Sequence, residues 1–391
     1  MRKITADYIF PISSAPIKNG VLVLEEDGTI LEVRKREEGE TDVEQKEGII
    51  CPGFINTHCH IELSHLQGKL AEKRGLDQFI KDIEATRKST DEEIQTAIVR
   101  AEEEMLRNGI VAVGDISNGS SSFAQKQKGR LAYHTFVEVF AFHPDRADKA
   151  FERALDLYNG LSGKKSIVPH APYSASAALL KKISDFAYAE NALLCMHNQE
   201  SEEENLLFRS KEGKILDRLK HFGIDTSFWK PTGFNSLAST LVHLPKCNKI
   251  LLVHNTVSTK EDIQWAHQYS KQIYWCFCPN ANLYIENRLP DFQLFIDEQA
   301  KITIGTDSLA SNTGLSVLEE LKTISKNAAV PLETLLQWAT LNGAQFLGLD
   351  TQLGSLEKGK KPGINLISNV DLAQLKLTGL SSVEVLATNS I

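Results

Sequence analysis

Eight strand-length apolar runs, separated by stretches of helical periodicity, constrain this chain more than any other feature of its 391 residues. The runs cover residues 49–57, 110–116, 133–139, 167–170, 193–197, 250–254, 273–278 and 302–307. Between several of them, as at 91–108, 175–190 and 260–268, apolar residues recur at helical spacing. That alternation is the pattern of βα units, whose parallel strands must be covered on both faces. Eight units predict a (β/α)8 barrel, for which about 250 residues is usual. Thr90 and Glu93 stand three apart, as a capping box at a helix start requires. Residues 201–249 interrupt the period as a long insertion after the fifth run. It has a helical start at 202–222 and a Pro/Gly turn at 230–233. Its length suits it to shape a substrate pocket, with or without closing as a lid.

Both ends read differently. Residues 1–50 hold short strands, with Val21 to Leu24 and Thr29 to Val33 either side of a Gly28 turn. After Leu353 the chain again turns through Lys358-Gly359-Lys360-Lys361-Pro362-Gly363 into a strand at Ile364 to Ile367. The expected fold is therefore α/β: a (β/α)8 TIM barrel over 51–350, with a small β-sandwich made from 1–50 and 351–391. A net charge of −8 lacks the basic footprint of a nucleic-acid binder. No run approaches the roughly 20 apolar residues that span a bilayer, and the N-terminus shows no signal-peptide core. Six scattered cysteines are no disulfide framework, so a reducing, cytoplasmic setting is expected. Cys276 and Cys278 lie two apart in a strand, and alternation accounts for the pair without a metal.

Chemistry enters where histidines and acids end the strands, because side chains there converge on one mouth of a barrel. His58 and His60 close the first run, two apart and so on one side of an extended chain. His197 ends the fifth run and Glu200 follows it; His254 ends the sixth and Asp307 the eighth. Three imidazoles and a carboxylate suit zinc or a similar divalent ion. Singly, each has a plainer reading. His197 and His254 read as hydrogen-bonded core histidines, Glu200 as the start of an acidic surface run, and Asp307 as a helix cap. Their joint placement at strand ends is what points to a metal site.

The segment Pro52-Gly53-Phe54-Ile55-Asn56-Thr57-His58-Cys59-His60 resembles the opening motif of the amidohydrolase superfamily. Met196-His197-Asn198-Gln199-Glu200 resembles the His-x-x-Glu motif of its mononuclear deaminase branch, and Val253-His254-Asn255 with Asp262 that branch's fourth-histidine motif. Cys278-Pro279-Asn280-Ala281-Asn282 resembles the Pro-x-x-Asn turn after strand seven, and Gly305 to Asn312 the strand-eight motif. The likeness runs from about residue 20 to about 367. Departures are Cys59 for a frequent Thr, Asn56 for Asp, Ser308 for Gly or Ala, and Gly363-Ile364-Asn365 where an acidic residue is usual; none removes a ligand.

The resemblance implies one divalent ion, zinc or iron, held by His58, His60, His197 and Asp307. Asp307 would also accept the proton of an acidified water, His254 would orient the nucleophile, and Glu200 would shuttle protons. Binuclear relatives carry a carboxylated lysine at strand four. Here Ile167-Val168-Pro169-His170 has none, and His170 is implied as a substrate contact, against a structural histidine beside prolines. Glu84 is a candidate for ribose hydroxyls, although a solvated surface glutamate is the plainer reading. The detailed motifs look most like aminodeoxyfutalosine and S-adenosylhomocysteine deaminases, with chlorohydrolase-type members nearby. Hydrolytic deamination of an adenine-type nucleoside is thus the expected reaction. The alternatives are cyclic-amide opening of the imidazolonepropionase type and, in another class, a non-catalytic scaffold. A small-molecule substrate and a homodimer are the partners the likeness implies.

Overall fold

The computed structural model describes residues 1–388; the last residues of the expected C-terminal segment, 389–391, lie outside it. Eight parallel strands form the body: β1 (Phe54–Cys59), β2 (Ile110–Ser117), β3 (Ala132–Val139), β4 (Lys164–Pro169), β5 (Leu194–Asn198), β6 (Ile250–His254), β7 (Ile273–Phe277) and β8 (Ile302–Ile304). β1 to β4 hydrogen-bond in sequence, as do β5 to β8. At one seam the His197 N–H donates to the His170 carbonyl at 2.9 Å. At the other, the N–H groups of Thr306 and Asp307 both donate to the His58 carbonyl at 3.1 Å, beside a bridge between Cys59 and Asp307. The result is the expected barrel, and both seams run through site residues.

Helices between the strands cover the barrel. Asp91–Arg107 begins with the reciprocal Thr90–Glu93 capping box that the sequence suggested, satisfying two end N–H groups at once. One face of this helix, including Ile98, Ala101 and Met105, is buried. Aromatic side chains between β7 and its helices (Trp275, Phe277, Phe292 and Phe295) meet edge-to-face with centroids 5.0–5.1 Å apart. Full burial of such a side chain contributes about 1.5–3 kcal/mol.

The first expected run, 49–57, is two strands. Ile49–Pro52 pairs with the C-terminal strand Ile364–Ser368 and with Tyr8–Ile9, whereas Phe54–Cys59 enters the barrel. The change of partners falls at one peptide: Gly53 N–H donates to the Gly363 carbonyl and Phe54 N–H to that of Gly109. Expected strand ends also move. β8 stops at Ile304, so Asp307, with φ +56°, lies three residues past the strand, at the isolated bridge to Cys59. His170 and Cys278 fall one residue beyond β4 and β7.

Strands from both termini make two sheets, one ordered Ile30–Lys35, Gly20–Leu24, Arg2–Thr5, Glu44–Gln45 and the other Ser382–Ala387, Ile364–Ser368, Ile49–Pro52, Tyr8–Ile9, Ile17–Lys18. Ile4, Ile9, Leu22, Leu24, Ile50, Ile364 and Leu366 share one core, the small sandwich. Asn365, where an acid is usual, is buried and donates from Nδ2 to the Gly109 carbonyl at 2.9 Å, tying sandwich to barrel. Gly109 has φ +71°, and a Cβ there would sit 2.3 Å from Asn365 Oδ1. Gly109→Ala therefore combines backbone strain with a clash. We expect a loss of about 1–3 kcal/mol in denaturant unfolding, while an unchanged midpoint would show that this joint is slack.

The insertion is three helices: Glu202–Ser210, Lys214–His221 and Ser236–Leu241. The helical pattern over 202–222 breaks because Lys211 (φ +59°) closes the first helix and Gly213 (φ +95°) opens the second. With Phe79, Phe142, Tyr173 and Tyr284, residues Leu207, Phe208, Ile215 and Leu219 form a second apolar cluster. No helix among the described residues is long and apolar enough to cross a membrane.

Candidate active site

His58, His60, His197 and Asp307 come together, each offering a ligand atom within 4.8 Å of every other. All four are buried. The His58 and His60 Nε2 atoms are 3.1 Å apart, and lie 3.5 and 3.4 Å from Asp307 Oδ1. Gly305 allows this approach, since a Cβ there would lie 2.8–2.9 Å from Cys276 Sγ, Cys278 Sγ and the His58 Cβ.

The outer nitrogens are partly fixed. His197 Nδ1 sits 2.8 Å from the His170 carbonyl, so it donates and leaves Nε2 with a lone pair. Burial presses His197 well below its usual range and His60 down to about 3. Both are thus neutral, the ligand form of imidazole. For Asp307 burial acts upward, but hydrogen bonding from His58 and the neighbouring histidines hold it well below the usual carboxylate range. Its Oδ2 also accepts from Ser311 Oγ. Asn56 and Thr306 exchange two hydrogen bonds (2.7 and 3.1 Å), pinning the turn that carries Asp307.

The donor set fits a divalent ion. Three imidazoles and one carboxylate, converging in a buried pocket, have the number and type of atoms that zinc takes. Two imidazole nitrogens placed 3.1 Å apart are well accommodated by a shared cation. Cys276 and Cys278, with Sγ atoms 4.0 Å apart, belong to no ion-competent group among the described residues.

His254 and Glu200 stand beside this group. His254 Nε2 is 3.8 Å from Glu200 Oε1, and its Nδ1 is 2.8 Å from Asn282 Oδ1, the Asn of the Pro-x-x-Asn turn. Burial lowers His254, but Glu200 and Asp307 outweigh it, and the net shift is upward. Burial pushes Glu200 up to about 7, with His254 opposing. His254 has φ +74° and Gln199 φ +46°. Such conformations in residues with a Cβ are uncommon and cluster at functional sites.

His170 lies at the rim, its ring centroid 4.8 Å from that of His197, with Nδ1 2.8 Å from Ser174 Oγ. Glu84 is not brought to the site. It is exposed near the C-terminal end of helix Leu76–Thr86, whereas the opposite end, at Leu76, Asp77 and Gln78, faces Glu200 across a cleft of about 340 Å³. Arg74, Lys214 and Arg288 also line that cleft. Glu84→Ala should leave kcat/KM within about twofold, in line with the small effects of most exposed substitutions; a tenfold loss would return Glu84 to the site.

Two residues escaped the sequence reading. Glu138, near the end of β3, lies 3.5 Å from His197 Nδ1 and accepts from Asn118 Nδ2 at 2.8 Å. An acid ending a barrel strand was the available signal. Arg218, on the insertion, is buried against Tyr173 and pairs with Asp77 at 3.2 Å. Its helix carries the charge pattern of a surface helix, so nothing in the sequence marked it.

The sequence model of the amidohydrolase family matches residues 49–389. The chain belongs to that family. Among curated relatives of this amidohydrolase, the 5'-deoxyadenosine deaminase of Methanosarcina acetivorans is 27% identical over 369 residues, covering 88% of this chain and 78% of the relative. The adenosine deaminase of Helicobacter pylori is 26% identical over 329 residues, 81% of this chain and 78% of that one. Helicobacter pylori aminofutalosine deaminase, solved with methylthio-coformycin, superposes with a TM-score of 0.81 at 22% identity, over 97% of this chain and 94% of that one. A zinc-bound adenosine deaminase of Xanthomonas campestris gives 0.72 at 20% identity, over 100% and 93%. These likenesses are to the amidohydrolase barrel as a fold.

Proposed function

We propose that this amidohydrolase is a hydrolytic deaminase of the aminopurine ring in an adenine-type nucleoside, of the kind represented by aminodeoxyfutalosine or S-adenosylhomocysteine. The observation that carries the reading is the 3.8 Å juxtaposition of Glu200 and His254 beside the three-histidine, one-aspartate group. The relatives named as 5'-deoxyadenosine and adenosine deaminases support the same substrate class. His58, His60, His197 and Asp307 would hold a single zinc ion. When bound, such an ion supplies Lewis acidity, bringing the pKa of water from about 15.7 towards 7.

The chain's own groups complete the reaction. Asp307, kept ionised, receives the proton of the attacking water. Glu200, protonated near neutrality, gives its proton to a ring nitrogen as the carbon becomes tetrahedral. His254, held by Asn282, hydrogen-bonds the developing oxygen. Glu200, now ionised, takes the proton of the new hydroxyl and passes it to the amine, which leaves as ammonia while the ring keeps the oxygen as a carbonyl; the proton held by Asp307 then restores Glu200 to its acid form. His170 at the rim is placed to contact the base. Six free thiols suit a reducing cytoplasm.

The test is ammonia release from a panel of adenine nucleosides, purines, pyrimidines and cyclic amides, with metal content measured on the same sample. Ammonia from an adenine nucleoside at about one metal per chain supports the reading. Consumption of a cyclic amide without ammonia from any amine would move the chemistry to ring opening, and a native protein without metal would favour a scaffold. A pH profile adds a second check. Glu200 must be protonated to act as the acid, and its raised value of about 7 means that form is lost as pH rises through neutrality. kcat/KM should therefore fall on the alkaline side of about pH 7, whereas a flat profile to pH 9 would contradict an acid role for Glu200.

A further inference from the structure

Behind Glu200 lies a buried polar network that the chemistry above does not use. Its hub is Asp262 Oδ2, which accepts from Gln199 Nε2 (2.8 Å), Asn235 Nδ2 (2.8 Å), Thr259 N–H (3.1 Å) and Thr259 Oγ (3.1 Å). Gln199, next to Glu200 in the chain, is held at each of its polar groups. Its N–H donates to Glu204 Oε1 (2.9 Å), its side-chain oxygen accepts from Ser258 Oγ (2.6 Å), and its carbonyl accepts from Val257 N–H (3.0 Å). Asn205 Oδ1 accepts from the Ser236 N–H and hydroxyl (3.1 and 3.2 Å), closing the two ends of the insertion on each other. Gln199, Glu204, Asn205 and Asp262 are all buried.

The network joins the turn that carries Glu200 to the turn after His254. It does so at a backbone that needs holding. Gln199 has φ +46°, a region unfavourable for a residue with a Cβ. Freed of its partners, the peptide would relax to negative φ and swing Glu200 with it. Carboxylates that must act within a few tenths of an ångström need such supporting shells.

We propose that Gln199 and Asp262 are positioning residues for Glu200, fixing its separation from His254. The insertion's flanking helices then belong to the mount of the catalytic carboxylate rather than to a free lid. This rests on the deaminase reading for its kinetic consequence, but not for its structural one.

The test is Asp262→Ala, studied by crystallography and by kinetics with adenosine as the probe. In the crystal, Gln199 should leave the left-handed region and the Glu200–His254 distance should grow beyond 3.8 Å. kcat should fall about 10–100-fold, the order of loss that a misplacement near 1 Å produces, with metal content unchanged. Asp262→Asn, which keeps an acceptor oxygen, should recover most of that loss. In a Glu200→Gln background the same Asp262→Ala change should cost little more, because the group it positions is already gone. An unmoved Glu200 in the variant crystal, or a full-sized loss repeated in the Glu200→Gln background, would overturn the proposal. Wild-type silence on every aminopurine nucleoside would instead sink the deaminase reading, and the crystal comparison would still judge the positioning.

Discussion

Glu200→Gln should lower kcat by about 10²–10⁴-fold while leaving the metal content of the protein intact. That span corresponds to about 2.7–5.4 kcal/mol of transition-state stabilisation. The amide has nearly the same shape as the carboxyl group but can neither give nor take a proton. Glu200 lies outside the group formed by His58, His60, His197 and Asp307, so its replacement leaves those four donors in place. His254 stands 3.8 Å from it, and the Gln199 network behind it is untouched by the change. The residual activity should also lose its alkaline decline, since the group proposed to titrate near 7 is gone. Near wild-type turnover would remove Glu200 from the proton path. Loss of the ion together with activity would make Glu200 a structural residue of the metal site.

Asp307→Ala should have a different signature, losing metal and turnover together. Its Oδ1 faces two imidazole nitrogens at 3.4–3.5 Å, and it is the one carboxylate in the four-residue group. Removing it leaves three imidazole donors. Loss of a supporting residue around a metal site typically costs 10–100-fold in affinity, so loss of a ligand should cost at least about 100-fold. Turnover at saturating metal should still be down by about 10²–10⁴, because the proposed acceptor of the water proton is missing. Dialysis against a chelator of known affinity, followed by assay at several zinc concentrations, separates the two effects. Rescue to full rate by excess zinc would limit Asp307 to binding. Full occupancy and full rate in the variant would refute both roles.

The parts of the site legible in the sequence were those whose partners are local or periodic. His58 and His60 share a side because they are two apart. His197, His254 and Asp307 were marked by where their apolar runs ended, since a barrel gathers strand ends at one mouth. Thr90 and Glu93 formed their capping box because it needs only the first turn of one helix. Boundaries were less certain. Ile49 to Thr57 is one apolar run, yet it serves two sheets, because the adjacent N–H groups of Gly53 and Phe54 pair with Gly363 and Gly109 respectively. Neither partner is near in sequence.

What only the tertiary structure decided were the contacts made across the barrel and above it. Glu84 was a candidate for ribose hydroxyls beside its plainer reading as a surface glutamate, but the other end of its helix borders the cleft. Glu138 beside His197, Arg218 against Tyr173, and the Asp262 hub under Gln199 join segments 45–63 residues apart, in geometries that no local pattern encodes. The sequence by itself determined the barrel, the small sandwich and the set of ligand-competent side chains, because hydrophobic period and strand-end placement are properties of short segments. The tertiary structure alone decided what holds Glu200 beside His254 and where the cleft opens, because those depend on the packing of loops whose partners lie far along the chain.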